Sequence, residues 1–511
     1  MKERDFGKAG RSGNRTATCL AVLLLMAWVF PLEACAAGKR RSSSKSPTVK
    51  RQAIPSYPSY LHQFRQVAGQ VGVLVLEAPS GRLVWSHRPE APLVPASVVK
   101  VLTTYAALKH LGPYHHFSTS VLAASAPQRG VVTGNVWLKS DGDPFFLGEN
   151  AWSLAQKLRA NGVREIRGGV YVDNSYFQPG IERICIDGHC SSPYNPVLSA
   201  TALEFNTVAH QLFPGSSPGG AVPVECYVGP PGEDEPGPLE GEAQSGNGRV
   251  LLVEYAGGQA ERRLGEARPA SPPAGEPVTR SYQCGANAPD PAAYASNAFR
   301  NLLAQVGVHV RGPAGGGSDA PRASQVLARY ESPPLKDVLQ GLNRYSNNFM
   351  AEMLLRATGA AVHSPPGSLP KGVAVVTSTL EKLGVPRQEI HLDSGSGLSR
   401  TCRVSPRAFG AVLLDGYRDF SIAPEFITSM ATNGDEGTLR KRLRGTALMV
   451  RGKTGTLRDV IGFAGYVAGP DNRTYVVAVL LNDVSNRWEA RRAIDDFLVE
   501  LPRLAGGMVQ G

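Results

Sequence analysis

Two stretches of the same style lie at opposite ends of this sequence, and together they constrain the fold more than any other feature. Near the amino end, Val71 to Leu76 is a β-branched and leucine-rich run, Ala78-Pro79-Ser80-Gly81 is a turn, and Arg82 to His87 alternates apolar with polar residues. That pattern predicts a β-hairpin. From Ser97 the apolar residues Val101, Leu102, Tyr105, Leu108 and Leu111 recur at helical spacing until Gly112-Pro113, which predicts a helix buried on one face. Far downstream, Leu448 to Arg451, Ile461 to Val467 and Tyr475 to Leu481 read as three more strands, and Trp488 to Leu501 as a closing amphipathic helix. Between these ends the character changes, with short strand-like runs such as Gly134 to Leu138 and Gly169 to Asp173, and a Gly-, Pro- and Glu-dense stretch from Gly229 to Pro277. The economical reading is one discontinuous domain, residues 59–118 and 331–505, interrupted over 119–330 by a β-rich region of one or two subdomains, taken as two. A chain of 511 residues has room for this, at roughly 100–200 residues per domain.

The net charge of +11 suggests a nucleic-acid partner only until its distribution is read. Residues 1–51 hold eleven Lys or Arg against three acids, a net +8, which leaves +3 for the rest. A nearly balanced body does not indicate a basic nucleic-acid face. Lys2, Arg4, Lys8, Arg11 and Arg15 precede an apolar run from Cys19 to Phe30, and small residues follow at Ala34, Ala36 and Ala37. This is the pattern of a secretory signal over residues 1–36, and the run is shorter than the roughly 20 residues that a membrane span needs. Leu32-Glu33-Ala34-Cys35 also resembles a lipoprotein box, which would lipidate Cys35, although Glu33 departs from that pattern. Residues 37–58 read as a flexible tether. Cleavage after Ala36 leaves Cys185, Cys190, Cys226, Cys284 and Cys402; in an oxidising compartment 185/190 and 226/284 are plausible disulfides, with Cys402 unpaired and the connectivity open.

Ser97-Val98-Val99-Lys100 sets a hydroxyl and an amine three residues apart, on one face of the predicted helix start. Ser-x-x-Lys alone is weak evidence: Ser42 and Lys45, in the tether, match it too. Two further segments raise its weight. Tyr345-Ser346-Asn347-Asn348 lies within a helical pattern running from Leu335 to Met353, and Lys453-Thr454-Gly455-Thr456 follows a predicted strand. Ser-x-x-Lys, a Ser-x-Asn element and Lys-Thr-Gly, in that order, are the signature of active-site-serine penicillin-binding proteins and class A β-lactamases.

On these motifs the chain resembles the low-molecular-mass class C penicillin-binding proteins, exported D-alanyl-D-alanine carboxypeptidases and endopeptidases of the penicillin-binding protein 4 type. The 249 residues from Ser97 to Ser346 are similar to that family's long insertion after the nucleophile's helix, which class A β-lactamases lack. Gly134 to Leu138 with Gly142-Asp143-Pro144, Asp393 to Arg400, and Val404-Ser405-Pro406 match as well, so the resemblance runs from about 60 to 505. Asn347 departs from the family's frequent aspartate, and 229–277 matches nothing in it. The resemblance implies an α/β (α+β) penicillin-binding/β-lactamase-like transpeptidase domain: an antiparallel sheet flanked by helices, interrupted by a long β-rich insertion.

A serine hydroxyl attacks well only when a base takes its proton, and lysine serves as base only as the neutral amine. Bringing a lysine from about 10.4 to near 7 takes about 4 kcal/mol, which burial and a second cation, Lys453, both favour. On the family's pattern Ser97 is then the nucleophile and Lys100 the general base. Ser346 relays a proton to the leaving amine, and Asn348 holds Lys100 and the substrate's carbonyl. The N–H groups of Ser97 and Thr456 form the oxyanion hole, and Lys453, Thr454 and Thr456 bind a D-alanine carboxylate beside Gly455. Arg400 would meet the carboxylate of a diaminopimelate side chain and Asp173 its amino group. His87, His110, His115 and His116 read as surface residues, because lysine fills the base role. The implied partners are peptidoglycan stem peptides and cross-links, with β-lactams as covalent inhibitors; no metal or organic cofactor and no nucleic acid is implied, and the oligomeric state is left open. The location implied is the periplasm or cell-wall compartment. A β-lactamase and a catalytically idle wall-binding scaffold are the rival readings.

Overall fold

The computed structural model describes residues 56–180, 182–186, 190, 193–212, 253–256, 259–262, 282–470 and 472–507. The expected signal, Cys35, most of the expected tether and Cys226 lie outside them, as does the side chain of Cys284. The first described helix begins slightly earlier than Ser59. Helix α1 (Tyr57–Val67) starts at once after Ser56, whose N–H donates to the Ser59 hydroxyl at 2.9 Å, with Pro58 in the first turn. Next come β1 (Ala68–Glu77), β2 (Leu83–His87) and, after a 3₁₀ turn over Ala96–Val99, helix α2 (Lys100–Leu111).

The insertion runs through β3 (Ser118–Ala123), β4 (Val136–Ser140), α3 (Gly148–Ala160), β5 (Val170–Asp173), α4 (Pro291–Gln305), β6 (Ala314–Gly317) and β7 (Gln325–Glu331). The chain then returns through α5 (Leu335–Arg344), α6 (Asn348–His363), α7 (Leu369–Lys382), α8 (Pro406–Arg418), β8 (Ala431–Thr432), β9 (Met449–Leu457), β10 (Val460–Ala468), β11 (Thr474–Val484) and α9 (Arg487–Gly507).

The two ends of the chain share one antiparallel sheet, ordered β8-β9-β10-β11-β1-β2, with Val71 opposite Leu481 and Val75 opposite Val477. Both faces of this sheet are covered, which is why its strands read as continuous apolar runs. Alternate residues separate into two cores: Val476, Ala478 and Leu480 pack with α2, α6 and α8, while Val71, Val73, Val75, Val477, Val479 and Leu481 pack with Phe64 of α1 and Phe497 of α9. Helix α2 departs from the one-sided burial expected of it. Every residue from Lys100 to Leu108 is buried, because α2 runs through the middle of the helical layer and not along its surface.

The insertion enters and leaves by neighbouring strands, β3 pairing antiparallel with β7 so that Ser118 faces Glu331. Its main body is a mixed sheet, β6-β5-β4-β3-β7, with parallel β6/β5 and β5/β4 pairs. It is not simply β-rich: α3 and α4 cover the sheet through Leu154, Leu158, Phe299 and Leu303. The 3–4 spacing of Ala151, Leu154, Ala155 and Leu158 is the helical signal among the strand-like runs. Of the stretch 229–277, Val253–Ala256 and Gln259–Arg262 pair as two short strands. Cys185 and Cys190 form a disulfide, and Cys402 is a buried free thiol.

Asp143, in the loop after β4, is 1% exposed. One carboxyl oxygen accepts the Phe145 N–H at 2.8 Å; the other has no partner among the described residues. Burial pushes its pKa up to about 7, the Phe145 N–H opposing and the Asp141 charge adding to the rise. An acid whose folded pKa exceeds its unfolded value binds more protons when folded, so the protein loses stability as pH climbs from about 4 to about 7. The loss from Asp143 is on the order of 4 kcal/mol. Asp143→Asn removes this dependence: in thermal melts its stability relative to wild type should improve steadily between pH 4.5 and 7.5, and a pH-independent difference would refute the assignment.

Candidate active site

Ser97 lies on the 3₁₀ turn ahead of α2, where Pro95 and Ala96, the latter with φ 49°, bend the chain sharply into the helix. The sequence pattern started a helix at Ser97; the tighter turn instead leaves the serine half-buried while Lys100 is fully enclosed. Two glycines allow other segments to close on this turn. A Cβ on Gly397, which has φ 83°, would sit 1.9 Å from the Ala96 carbonyl oxygen, and one on Gly455 of β9 would sit 2.7 Å from the Pro95 carbonyl oxygen.

Lys100 Nζ makes three polar contacts: Ser97 Oγ at 2.8 Å, Asn348 Oδ1 at 2.7 Å and the Ser396 carbonyl at 2.7 Å. Burial and then the nearby Lys453 cation drive the Lys100 pKa well below its ordinary value, and Glu352 opposes them. A neutral amine has two N–H donors and one lone pair. As a neutral amine, Lys100 would give its two donors to the carbonyl oxygens and turn its lone pair to the Ser97 hydroxyl. Asn348 is fixed in turn by donating from Nδ2 to the Tyr194 carbonyl at 3.0 Å, a contact supplied by the insertion.

Ser346 is not inside a helix. It has φ 59° at the break between α5 and α6, where Asn347 caps α6 by accepting the Met350 N–H at 3.0 Å. The break has a local cause: serine and asparagine compete with helical hydrogen bonding and accept cap geometry. No hydrogen bond joins the Ser346 hydroxyl to the Lys100 cluster among the described residues. Lys453 is fully buried on β9, donating to the Thr454 carbonyl at 2.8 Å. Thr454 is buried and Thr456 half-buried on the same strand. Strand β8 pairs only with Arg451 and Gly452, so among the described residues the β8-side edge of β9 has no strand partner from Lys453 to Leu457.

The remaining expected residues are engaged elsewhere. Arg400 pairs with Asp459, in the turn between β9 and β10, and its side chain is 36% exposed. The ammonium expected at Asp173 is already present within the protein: Lys139 Nζ lies 2.9 Å from its carboxylate, which also accepts N–H bonds from Ser175 and Ala320 at 2.8 and 3.0 Å. Burial raises the Asp173 pKa, but the hydrogen bonds from Ser175 and Ala320 and the Lys139 contact outweigh it and hold the carboxyl below its usual range. His110 meets the Thr379 hydroxyl and His116 the Ser332 carbonyl.

Motif reasoning missed Glu352. It is a buried acid in the apolar run Phe349 to Leu355 of α6, and that anomaly was a readable signal. Its carboxylate accepts from Ser394 Oγ at 2.6 Å, Ser396 N at 2.9 Å, Ser396 Oγ at 2.7 Å and Arg356 at 2.8 Å. Arg356 reaches on to Glu182 of the insertion, its Nε donating at 2.9 Å.

Comparison with known proteins identifies relatives over most of the chain. Residues 58–501 match the D-Ala-D-Ala carboxypeptidase 3 (S13) family. A D-alanyl-D-alanine carboxypeptidase of an Actinomadura species is 32% identical over 90% of this chain and 86% of its own. D-alanyl-D-alanine carboxypeptidase DacB of Haemophilus influenzae is 24% identical over 81% and 86% respectively. The crystal structure of penicillin binding protein 4 (dacB) from Haemophilus influenzae superposes with a TM-score of 0.68 at 21% identity, covering 87% of this chain and 98% of that one, and so shares the fold. The match spans the Ser97 turn, the insertion and the closing strands alike, and the chain therefore belongs to the D-Ala-D-Ala carboxypeptidase 3 (S13) family of serine peptidases.

Proposed function

We propose that the protein removes the terminal D-alanine from peptidoglycan stem peptides, and cuts D-alanyl-diaminopimelyl cross-links, through an acyl-enzyme on Ser97. The observation that carries this reading is the triple contact of the buried Lys100 amine with Ser97, Asn348 and the Ser396 carbonyl. As the Ser97 oxygen bonds to the penultimate D-alanine carbonyl, its proton passes to Lys100 Nζ. The N–H groups of Ser97 and Thr456 stabilise the oxyanion. The C–N bond then breaks, and the proton returns to the leaving amine by way of Ser346. Water attacks the ester, and Lys100 takes the water's proton and hands it back to Ser97.

Ser346 holds the relay role by its place two residues ahead of Asn348, whose amide meets Lys100. Lys453 and Thr454 receive the D-alanine carboxylate, while the unpartnered edge of β9 accepts the substrate's extended backbone. Arg400 receives a side-chain carboxylate by exchanging Asp459 for it, and Asp173 contributes only by exchanging the Lys139 ammonium for the substrate's. The reading places the mature protein in the periplasm or cell-wall compartment, delivered by the segment 1–36. No helix among the described residues is long and apolar enough to cross a membrane.

Intact-mass analysis with and without penicillin tests the nucleophile. Wild type should gain the drug's mass once and Ser97→Ala should not; an adduct on another serine would refute the assignment. Release of the adduct within seconds would point to a β-lactamase, and absence of labelling in wild type to an idle scaffold. Incubation with a D-alanyl-diaminopimelyl cross-linked dimer tests the endopeptidase step by monomer release.

Acylation requires unprotonated Lys100, so its rate falls as pH drops through a lysine pKa that lies well below about 10.4. The Lys453 cation helps to depress that pKa. Lys453→Ala should therefore move the acid limb of the rate–pH profile to higher pH; a limb that stays put or moves down would contradict the electrostatic pairing.

A further inference from the structure

The loop from Ser394 to Leu398 folds around one carboxylate oxygen. Glu352 Oε1 accepts from both serine hydroxyls and from the Ser396 N–H. The loop's own bonds close over it: Gly397 N–H donates to Ser394 Oγ at 2.9 Å and Leu398 N–H to Ser396 Oγ at 3.3 Å. Arg356 holds the other oxygen, and its Nη1 also donates to the Glu352 carbonyl at 2.9 Å. Glu352 is therefore clamped on its own helix and presents a single oxygen to the loop.

The opposite side of the same loop faces the nucleophile's helix. The Ser396 carbonyl accepts from Lys100 Nζ at 2.7 Å, the Gly395 carbonyl from Thr103 Oγ1 at 2.8 Å, and Gly397 abuts the Ala96 carbonyl. The loop thus lies between a fixed anion and the reacting pair, so displacing one side displaces the other.

We propose that Glu352 is a positioning residue of the reaction: its buried carboxylate sets the Ser394–Leu398 loop so that the Ser396 carbonyl aims the Lys100 amine at the Ser97 oxygen. The inference rests on Lys100 acting as the base. Glu352 touches neither the reacting atoms nor the cleft. It acts through the carbonyl of a residue whose side chain and N–H it holds, and through its charge, which favours protonated Lys100 and opposes Lys453. Lys453 and Glu352 are the charged groups acting on Lys100, and Arg356 and Glu182 lie behind Glu352.

The test follows acylation of the full chain by benzylpenicillin across pH. Glu352→Gln keeps the side chain's size, removes the charge and leaves an amide facing three donors. Its acylation should be slower by about tenfold to a hundredfold, the cost of misplacing a reacting group by about an ångström. Its acid limb should move to lower pH, because the anion that favours protonated Lys100 is gone. Glu352→Asp should bring the limb back toward the wild-type position.

Acylation of Glu352→Gln within about threefold of wild type, with an unmoved limb, overturns the proposal. A slower rate with an unmoved limb marks general destabilisation and overturns it as well. Should Glu352→Gln fail to fold, the double variant Ser394→Ala, Ser396→Ala decides, since it removes two of the three loop donors and keeps the Glu352–Arg356 pair. Wild-type speed there overturns the proposal and at least a tenfold loss, about what displacing the amine predicts, supports it. A wild-type chain that is never acylated at Ser97 would sink the base assignment instead.

Discussion

The contacts around Lys100 suit an amine enclosed without its proton. A protonated amine offers three donors and a neutral one offers two donors and a lone pair. The surroundings of Lys100 supply two carbonyl acceptors and one hydroxyl, a set that suits the neutral form and at the same moment aims the lone pair at Ser97. Isolating the amine from water would alone favour loss of the proton, and a second buried cation, Lys453, presses in the same direction. Because the partners come from the Ser97 turn, helix α6 and the loop before α8, the amine cannot be tuned until distant parts of the chain have packed.

That packing explains the architecture. The sheet is completed by the first two strands and the last four, so the domain exists only when both ends of the chain meet. An insertion this long would seem to burden such closure, but the cost of a loop grows only with the logarithm of its length. Here β3 and β7 pair side by side, and the insertion leaves the domain where it entered. It also contributes to the site: the Tyr194 carbonyl orients Asn348, and Glu182 meets Arg356. An element whose ends are anchored and whose middle touches Asn348 is part of the support of the Lys100 cluster.

The legible parts of the sequence were those with short-range chemical grammar. Ser-x-x-Lys, Ser-x-Asn and Lys-Thr-Gly are local, and the apolar runs at Val71–Leu76 and Tyr475–Leu481 announce strands of a sheet covered on both faces. What escaped reading depends on tertiary context. The break at Ser346 interrupts an apolar periodicity that continues on both sides, so the pattern looked like one helix. The burial of α2 from Lys100 to Leu108 comes from neighbours on all sides, which a one-faced stripe does not reveal. Helices α3 and α4 were masked by the strand-like runs that flank them. Asp173 and Arg400 were placed by resemblance, and their engagement with Lys139 and Asp459 could come only from coordinates.

Glu352 shows why the charges had to be read together. A carboxylate close to Lys100 favours its protonation, which by itself would disable a lysine base. Arg356 moderates that field by facing the carboxylate from within the same helix, and Glu182 faces Arg356 in turn with a side chain 45% exposed. The charges alternate from the buried interior toward solvent, and each enclosed one has an opposite neighbour, the condition under which buried ions are tolerable. Had the row ended at Glu352, an unpaired buried anion would have drawn a proton onto Lys100 or taken one itself. By continuing to Glu182 it leaves Glu352 ionised, its pKa held low by Arg356, Ser394 and Ser396 against the upward pull of burial. The carboxylate then serves as a fixed acceptor for the loop, and the Lys100 amine is held on that loop's other side.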